Sequence, residues 1–140
     1  MDTPRFPSVA FEEMNALHAR EAERLGRVRA LVDEARSGQE RHRAIGDALA
    51  VWLAEVRAHF AAEEGWMREA DFGPYELHRS EHAKALRELD ALVRNWHHAP
   101  DLERLAVFVE FEWPLWQEQH IISFDATAAQ YLRHRGGGDP

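Results

Sequence analysis

Apolar positions recur along this chain at alternating steps of three and four, the spacing of one face of an α-helix, in four successive stretches. The first stripe is Met14, His18, Glu21, Leu25, Val28, Val32 and Ala35, in a helix predicted from Ser8, an N-cap after Pro7, to Arg36, where Ser37-Gly38 stops it. The second, in a helix predicted from Glu40 to Ala70, is Ile45, Leu49, Trp52, Val56, His59, Glu63, Trp66 and Ala70, closed by the turn residues Asp71-Phe72-Gly73-Pro74. The third, Tyr75 to Trp96, presents Tyr75, His78, His82, Ala85, Leu89, Leu92 and Trp96. The fourth follows Asp101 as N-cap and presents Leu102, Leu105, Val109, Trp113, Trp116, His120 and Phe124, with a kink expected at Pro114. No stretch alternates with the period of a strand. Long amphipathic helices joined by short turns predict an all-α, up-down-up-down antiparallel four-helix bundle over residues 1–135, with 136–140 a flexible tail.

Polar residues interrupt these stripes where apolar ones belong. His59 and Glu63 stand one helical turn apart on a face that should be buried, and a buried carboxylate costs several kcal/mol unless a charge meets it. The loops set which levels face one another. His18 lies nineteen residues before Ser37 and His59 nineteen after Glu40, so these two share a level. His82 and His120 lie at similar distances from the turn around Ala99 and Asp101, and the short second turn puts Glu63 and His78 at one end of the bundle. All of these polar groups converge on one core layer, a standard place for a carboxylate-bridged pair of metals.

Composition narrows the partners. With 17 basic and 25 acidic side chains the net charge is −8, which argues against nucleic acid and acidic membrane surfaces. There is no cysteine, hence no disulfide, no thiolate ligand and no cysteine nucleophile. No apolar run has membrane-spanning length, and the first residues lack a signal-peptide pattern, so a cytoplasmic protein is expected. Histidine and carboxylate ligands suit iron, manganese or zinc. His42, His97, His98 and His134 lie off the stripes or at helix ends and are expected at the surface.

The pattern His18 … His59-Phe-Ala-Ala-Glu63-Glu-x-x-Met67 … His78-x-x-x-His82 … Trp116-x-x-x-His120-Ile-x-x-x-Asp125 resembles the hemerythrin family, including its bacterial single-domain members, over almost the whole chain. The resemblance implies two iron ions, oxo- or hydroxo-bridged, one held by His78, His82 and His120, the other by His18 and His59, with Glu63 and Asp125 bridging. It further implies oxygen binding end-on at the two-histidine iron, in an apolar pocket that Phe60, Met67, Trp116 and Ile121 fit. Asp125 rests on this spacing, because five residues from His120 is about 140° around an ideal helix. It is a ligand if a π-bulge turns it inward, and otherwise a solvated surface residue.

Two positions depart from the family pattern. Glu21, one turn after His18, and Gln117, beside Trp116, stand where family members usually carry apolar residues. Glu21 is read as an extra ligand at the two-histidine iron, as a proton donor to bound peroxide, or as a side chain reaching solvent. The first function expected is oxygen storage, delivery or sensing. The alternative is a diiron oxidase, peroxidase or nitric-oxide-reducing enzyme using Glu21. The ligand is O2 or a related small diatomic or peroxide, and the sequence names no protein partner.

Overall fold

A computed structural model describes residues 3–136. Helix α1 spans Glu12–Arg36, α2 His42–Glu69 and α3 Tyr75–His98. The fourth helix runs over 102–136 without a break in helical conformation, but changes its winding twice. Its α-helical segments Leu102–Val107, Trp113–His120 and Ala126–Gly136 are separated by two π-helical turns, Phe108–Glu112 and Ile121–Asp125. The described residues contain no strand, and the helices form an antiparallel four-helix bundle in which α1 packs on α2, α2 on α3, and the fourth helix returns against α1. Gly136, expected to be the first residue of the tail, closes the last helix, and 137–140 lie outside the described residues.

Turn chemistry sets the connections. Gly38 takes φ 99° after α1, a left-handed conformation open to glycine, and Asp71 takes φ 56° after α2, which Asp tolerates better than most residues. Tyr131 of the fourth helix donates its hydroxyl to the Ala70 carbonyl, pinning the end of α2 to the bundle. Asp101 caps the fourth helix through the Arg104 N–H at 3.1 Å, as its position predicts. Ser8 does not cap α1. Asn15 clamps Val9 by accepting its N–H and donating to its carbonyl, both at 2.9 Å, and this side-chain pairing holds the backbone out of the helix until Glu12.

The stripes of α1, α2 and α3 pack inward as two apolar clusters. The larger contains Leu25, Val28, Leu49, Trp52, Val56, Phe60, Leu89, Val109 and Trp113. The smaller contains Met14, Met67, Phe72, Ala128, Ala129 and Leu132. Between them lies a buried polar layer that includes all seven expected ligand residues.

The fourth helix buries a different stripe from the one its apolar spacing suggests. Its inner positions are Leu105, Val109, Trp113, Gln117, Ile121, Asp125 and Ala129, an unbroken series of steps of four. On a regular α-helix each step overshoots a full turn by about 40°, so six steps would carry the stripe roughly 240° around the axis. Each π turn holds one extra residue, worth about 100° of rotation, and the two together take back most of that drift. The first spans Glu110, the residue whose carbonyl the ring of Pro114 would press against in a regular α-helix, so the winding widens where the sequence led us to expect a kink. Trp116 and Phe124 consequently sit half-buried at the flank.

Candidate metal centre

Every helix contributes to the polar layer. His18 comes from α1, His59 and Glu63 from α2, His78 and His82 from α3, and His120 and Asp125 from the fourth helix; none is more than 4 % exposed. The i, i+4 pairs on α2 and α3 stack on one face because the intervening turn is regular. Asp125 reaches the same layer because the π turn Ile121–Asp125 brings residues five apart nearly into line.

The histidines form two sets. The rings of His78, His82 and His120 lie with centroids 4.6, 4.9 and 5.0 Å apart, and those of His18 and His59 lie 5.0 Å apart. Each buried carboxylate divides its two oxygens between the sets. Glu63 turns Oε2 to His59 Nε2 at 2.6 Å and His18 Nε2 at 3.6 Å, and Oε1 to His82 Nε2 at 3.3 Å and His78 Nε2 at 3.8 Å. Asp125 turns Oδ2 to His18 Nε2 at 3.0 Å, and Oδ1 to His78 Nε2 at 3.0 Å and His120 Nε2 at 3.2 Å. Glu63 Oε1, His82 Nε2 and His120 Nε2 are buried without a hydrogen-bond partner. Ligand atoms that converge in a buried layer without hydrogen-bond partners fit metal ions better than they fit a hydrogen-bonded core.

The electrostatics point the same way. Burial opposes charge on His18, but hydrogen bonding to Asp125 and Glu63 outweighs it and raises its pKa from 6.5 to about 9. Burial likewise opposes charge on His59, and the neighbouring Glu63 and Glu21 carry it well above the ordinary value. His82 is raised against its burial by Glu63 and Glu64, whereas for His78 burial wins and its pKa falls. Glu63 and Asp125 are held low by their histidine neighbours in spite of burial. The layer attracts positive charge, and without metal that charge comes as protons.

A consequence is measurable. Metal must displace those protons, so loading should release protons into the buffer, and apparent affinity should rise with pH until about pH 9, where His18 gives up its own. In metal-free protein the sign is opposite: the stability that His18 contributes is complete below pH 6.5 and is lost as pH rises through about 9. Calorimetric zinc titrations in buffers of different ionisation enthalpy read the proton count. Uptake with no released proton would contradict this electrostatic picture.

The remaining polar residues of the core stand behind the histidines. Glu21, fully buried, meets His59 Nδ1 at 3.1 Å through Oε2, on the ring edge away from Glu63. It therefore does not reach solvent, and this contact directs it to the ring of His59 rather than to the ligand-bearing face expected of an extra ligand or proton donor. Gln117 is buried beside it and donates Nε2–H to the same oxygen, while accepting from Trp113 Nε1 at 2.8 Å. Glu64 accepts from His82 Nδ1 at 2.9 Å. Neither Glu64 nor Trp113 was singled out from the sequence as part of the site. The signal for Glu64 was its place beside Glu63, one step round α2 toward α3.

The expected pocket residues divide. Phe60 lies flat on His82, centroids 3.8 Å apart and planes at 2°, and Trp116 stacks on His120 at 4.7 Å, so both cover the three-histidine set. Ile121 is fully buried beside His120, and Met67 packs with Met14 in the smaller apolar cluster. His42, His97, His98 and His134 are exposed as expected, with His42 stacked on Trp96 at 5.0 Å.

Two buried groups, Glu63-His78-His82-His120-Asp125 and His18-His59-Glu63-Asp125, thus share their carboxylates and are arranged as metal ligands are. Fold and site together define a four-helix bundle with a histidine–carboxylate centre that could hold metal. The chain is 30% identical over 80 residues, 57% of its length and 61% of the relative's, to a curated protein from Aquifex aeolicus named bacteriohemerythrin. It is 36% identical over 89 residues, 64% of each chain, to a bacteriohemerythrin from Ralstonia nicotianae. The matched part is a little under two thirds of the length of these curated relatives. No family model and no solved structure matches the chain. In its bundle and in this stretch of sequence the chain is similar to these bacteriohemerythrins. No helix among the described residues is long and apolar enough to cross a membrane.

Proposed function

We propose that this chain is a non-haem diiron protein that binds O2, for storage, delivery or sensing. The observation that carries the reading is the division of both carboxylates: each offers one oxygen to the three-histidine set and the other to the two-histidine set, the arrangement required of bridging ligands. His78, His82 and His120 would hold one iron, His18 and His59 the other. The names of the two curated relatives support iron and oxygen as metal and ligand.

When bound, an iron pair supplies reversible two-electron chemistry toward oxygen. The protein's part is positional. The two-histidine set has fewer protein ligands, four against five, so it is the side with room for a small diatomic molecule. Phe60 and Trp113 on one side of the layer and Met14 and Met67 on the other keep bulk water from the centre. The enzyme alternative drew its support from Glu21 at the metal; the contact of Glu21 with His59 Nδ1 lends it none.

The test is the visible spectrum of iron-quantified, anaerobically reduced protein as oxygen is admitted and then removed. Two irons per chain and an absorption that appears and fades over repeated cycles are the expected result. Protein without iron, or iron that oxidises irreversibly in the first cycle, would overturn the reading.

A further inference from the structure

Trp113, Gln117, Glu21 and His59 form a buried chain of hydrogen bonds whose direction is fixed by chemistry. An indole nitrogen can only donate, so Trp113 makes the amide oxygen of Gln117 the acceptor. The amide NH2 must then face Glu21 and donate to Oε2. That same oxygen takes up His59 Nδ1 at 3.1 Å, so Nδ1 carries a proton, and Nε2, 2.6 Å from Glu63 and facing the layer, is the nitrogen whose lone pair a metal ion would take. All four residues are at most 3 % exposed.

The other histidines are supported differently. His18, His78 and His120 have no hydrogen-bond partner on Nδ1, and His82 leans on Glu64, whose side chain is 20% exposed. Among the described residues the fully buried carboxylate support therefore falls on the set with fewer ligands. A carboxylate behind a ligating histidine fixes its tautomer and ring orientation and strengthens it as a donor. Two polar residues on inner helix positions would otherwise be costly, and the direct contact of Gln117 with Glu21 explains why they occur together.

We propose that Glu21, oriented by Gln117 and Trp113, is a positioning residue that holds His59 in its metal-binding tautomer and selectively strengthens the two-histidine site. This inference rests on the diiron reading above. It assigns Glu21 to the control of one metal position of the pair rather than to contact with oxygen.

The test compares wild type with Glu21→Gln, Glu21→Leu and the double variant Glu21→Leu/Gln117→Leu. Anaerobic titration with zinc resolves the two binding steps, and 15N-histidine NMR of the zinc-loaded protein reads the hydrogen-bonded, slowly exchanging Nδ1–H of His59. In Glu21→Gln one amide oxygen can occupy the place of Oε2 and accept both bonds, so the NMR signal is expected to persist with near wild-type binding. Glu21→Leu is expected to lose the signal and weaken one binding step by about 10- to 100-fold while sparing the other. The double variant should do the same, and it fills the core with apolar side chains should the single leucine fail to fold. Leucine variants that keep both steps unchanged, or weaken the two equally, would overturn the inference. If wild type itself does not take up two ions, it is the diiron reading that fails.

Discussion

Glu63→Ala is expected to empty the centre. Glu63 reaches His59 at 2.6 Å and His18 at 3.6 Å with one oxygen, and His82 at 3.3 Å and His78 at 3.8 Å with the other. Its removal takes a ligand from both histidine sets at once, and Asp125 alone cannot join them. The metal-free variant also suffers, because it leaves raised histidines facing one carboxylate where there were two. Breaking a buried ion pair from one side typically destabilises by about 3–5 kcal/mol. Elemental analysis of the purified variant should find less than one tightly held metal per chain, and chemical denaturation of metal-free protein should show the loss. Two retained metals would show that Glu63 is not a bridge.

The second large effect concerns the fourth helix, and it separates two single-residue deletions that look alike on paper. Deleting exposed Ser123 from the π turn Ile121–Asp125 leaves His120 and Asp125 four positions apart, which on a regular α-helix keeps both on one face. Metal loading and helicity should survive with modest loss. Deleting exposed Gln119 from the α-helical segment Trp113–His120 turns His120 by about 100° relative to Gln117. Absorbing the deletion in the following π turn would still leave His120 rotated away. That variant should lose the three-histidine site. Metal counting with far-UV circular dichroism on both proteins is sufficient, and equal damage from the two deletions would contradict the part assigned to the π turn.

Three of the four helices were legible in the sequence because their buried stripes follow an undistorted α-helix. Met14, His18, Glu21, Leu25, Val28 and Val32 are all buried, as their spacing on α1 predicts. The level at which His18, His59, His82 and His120 meet followed from counting residues from the loops. The fourth helix was misread at Trp116 and Phe124, because a stripe of alternating threes and fours assumes a constant pitch. The steps of four through Gln117, Ile121, Asp125 and Ala129 carried the information that the pitch changes. Read that way, they turn Asp125 inward without help from a family pattern. Glu21 was visible as an anomaly, but its partner was not, since its contact with Gln117 joins residues 96 positions apart.

The contact of Glu21 with His59, together with that of Glu64 with His82, changes the charge account of the centre. Glu63 and Asp125 between the sets, with Glu21 and Glu64 behind them, supply four negative charges when ionised. Two divalent ions bring four positive ones. With neutral histidines, two divalent ions at the proposed sites would be matched by these four carboxylates before any bridging hydroxide is counted, and a layer walled by apolar clusters favours such a balance. Oxidation of such a pair would add positive charge, which an arriving anion or a leaving proton would have to offset. A leucine at position 21 would remove one of the four carboxylates and leave such a pair with one negative charge fewer around it.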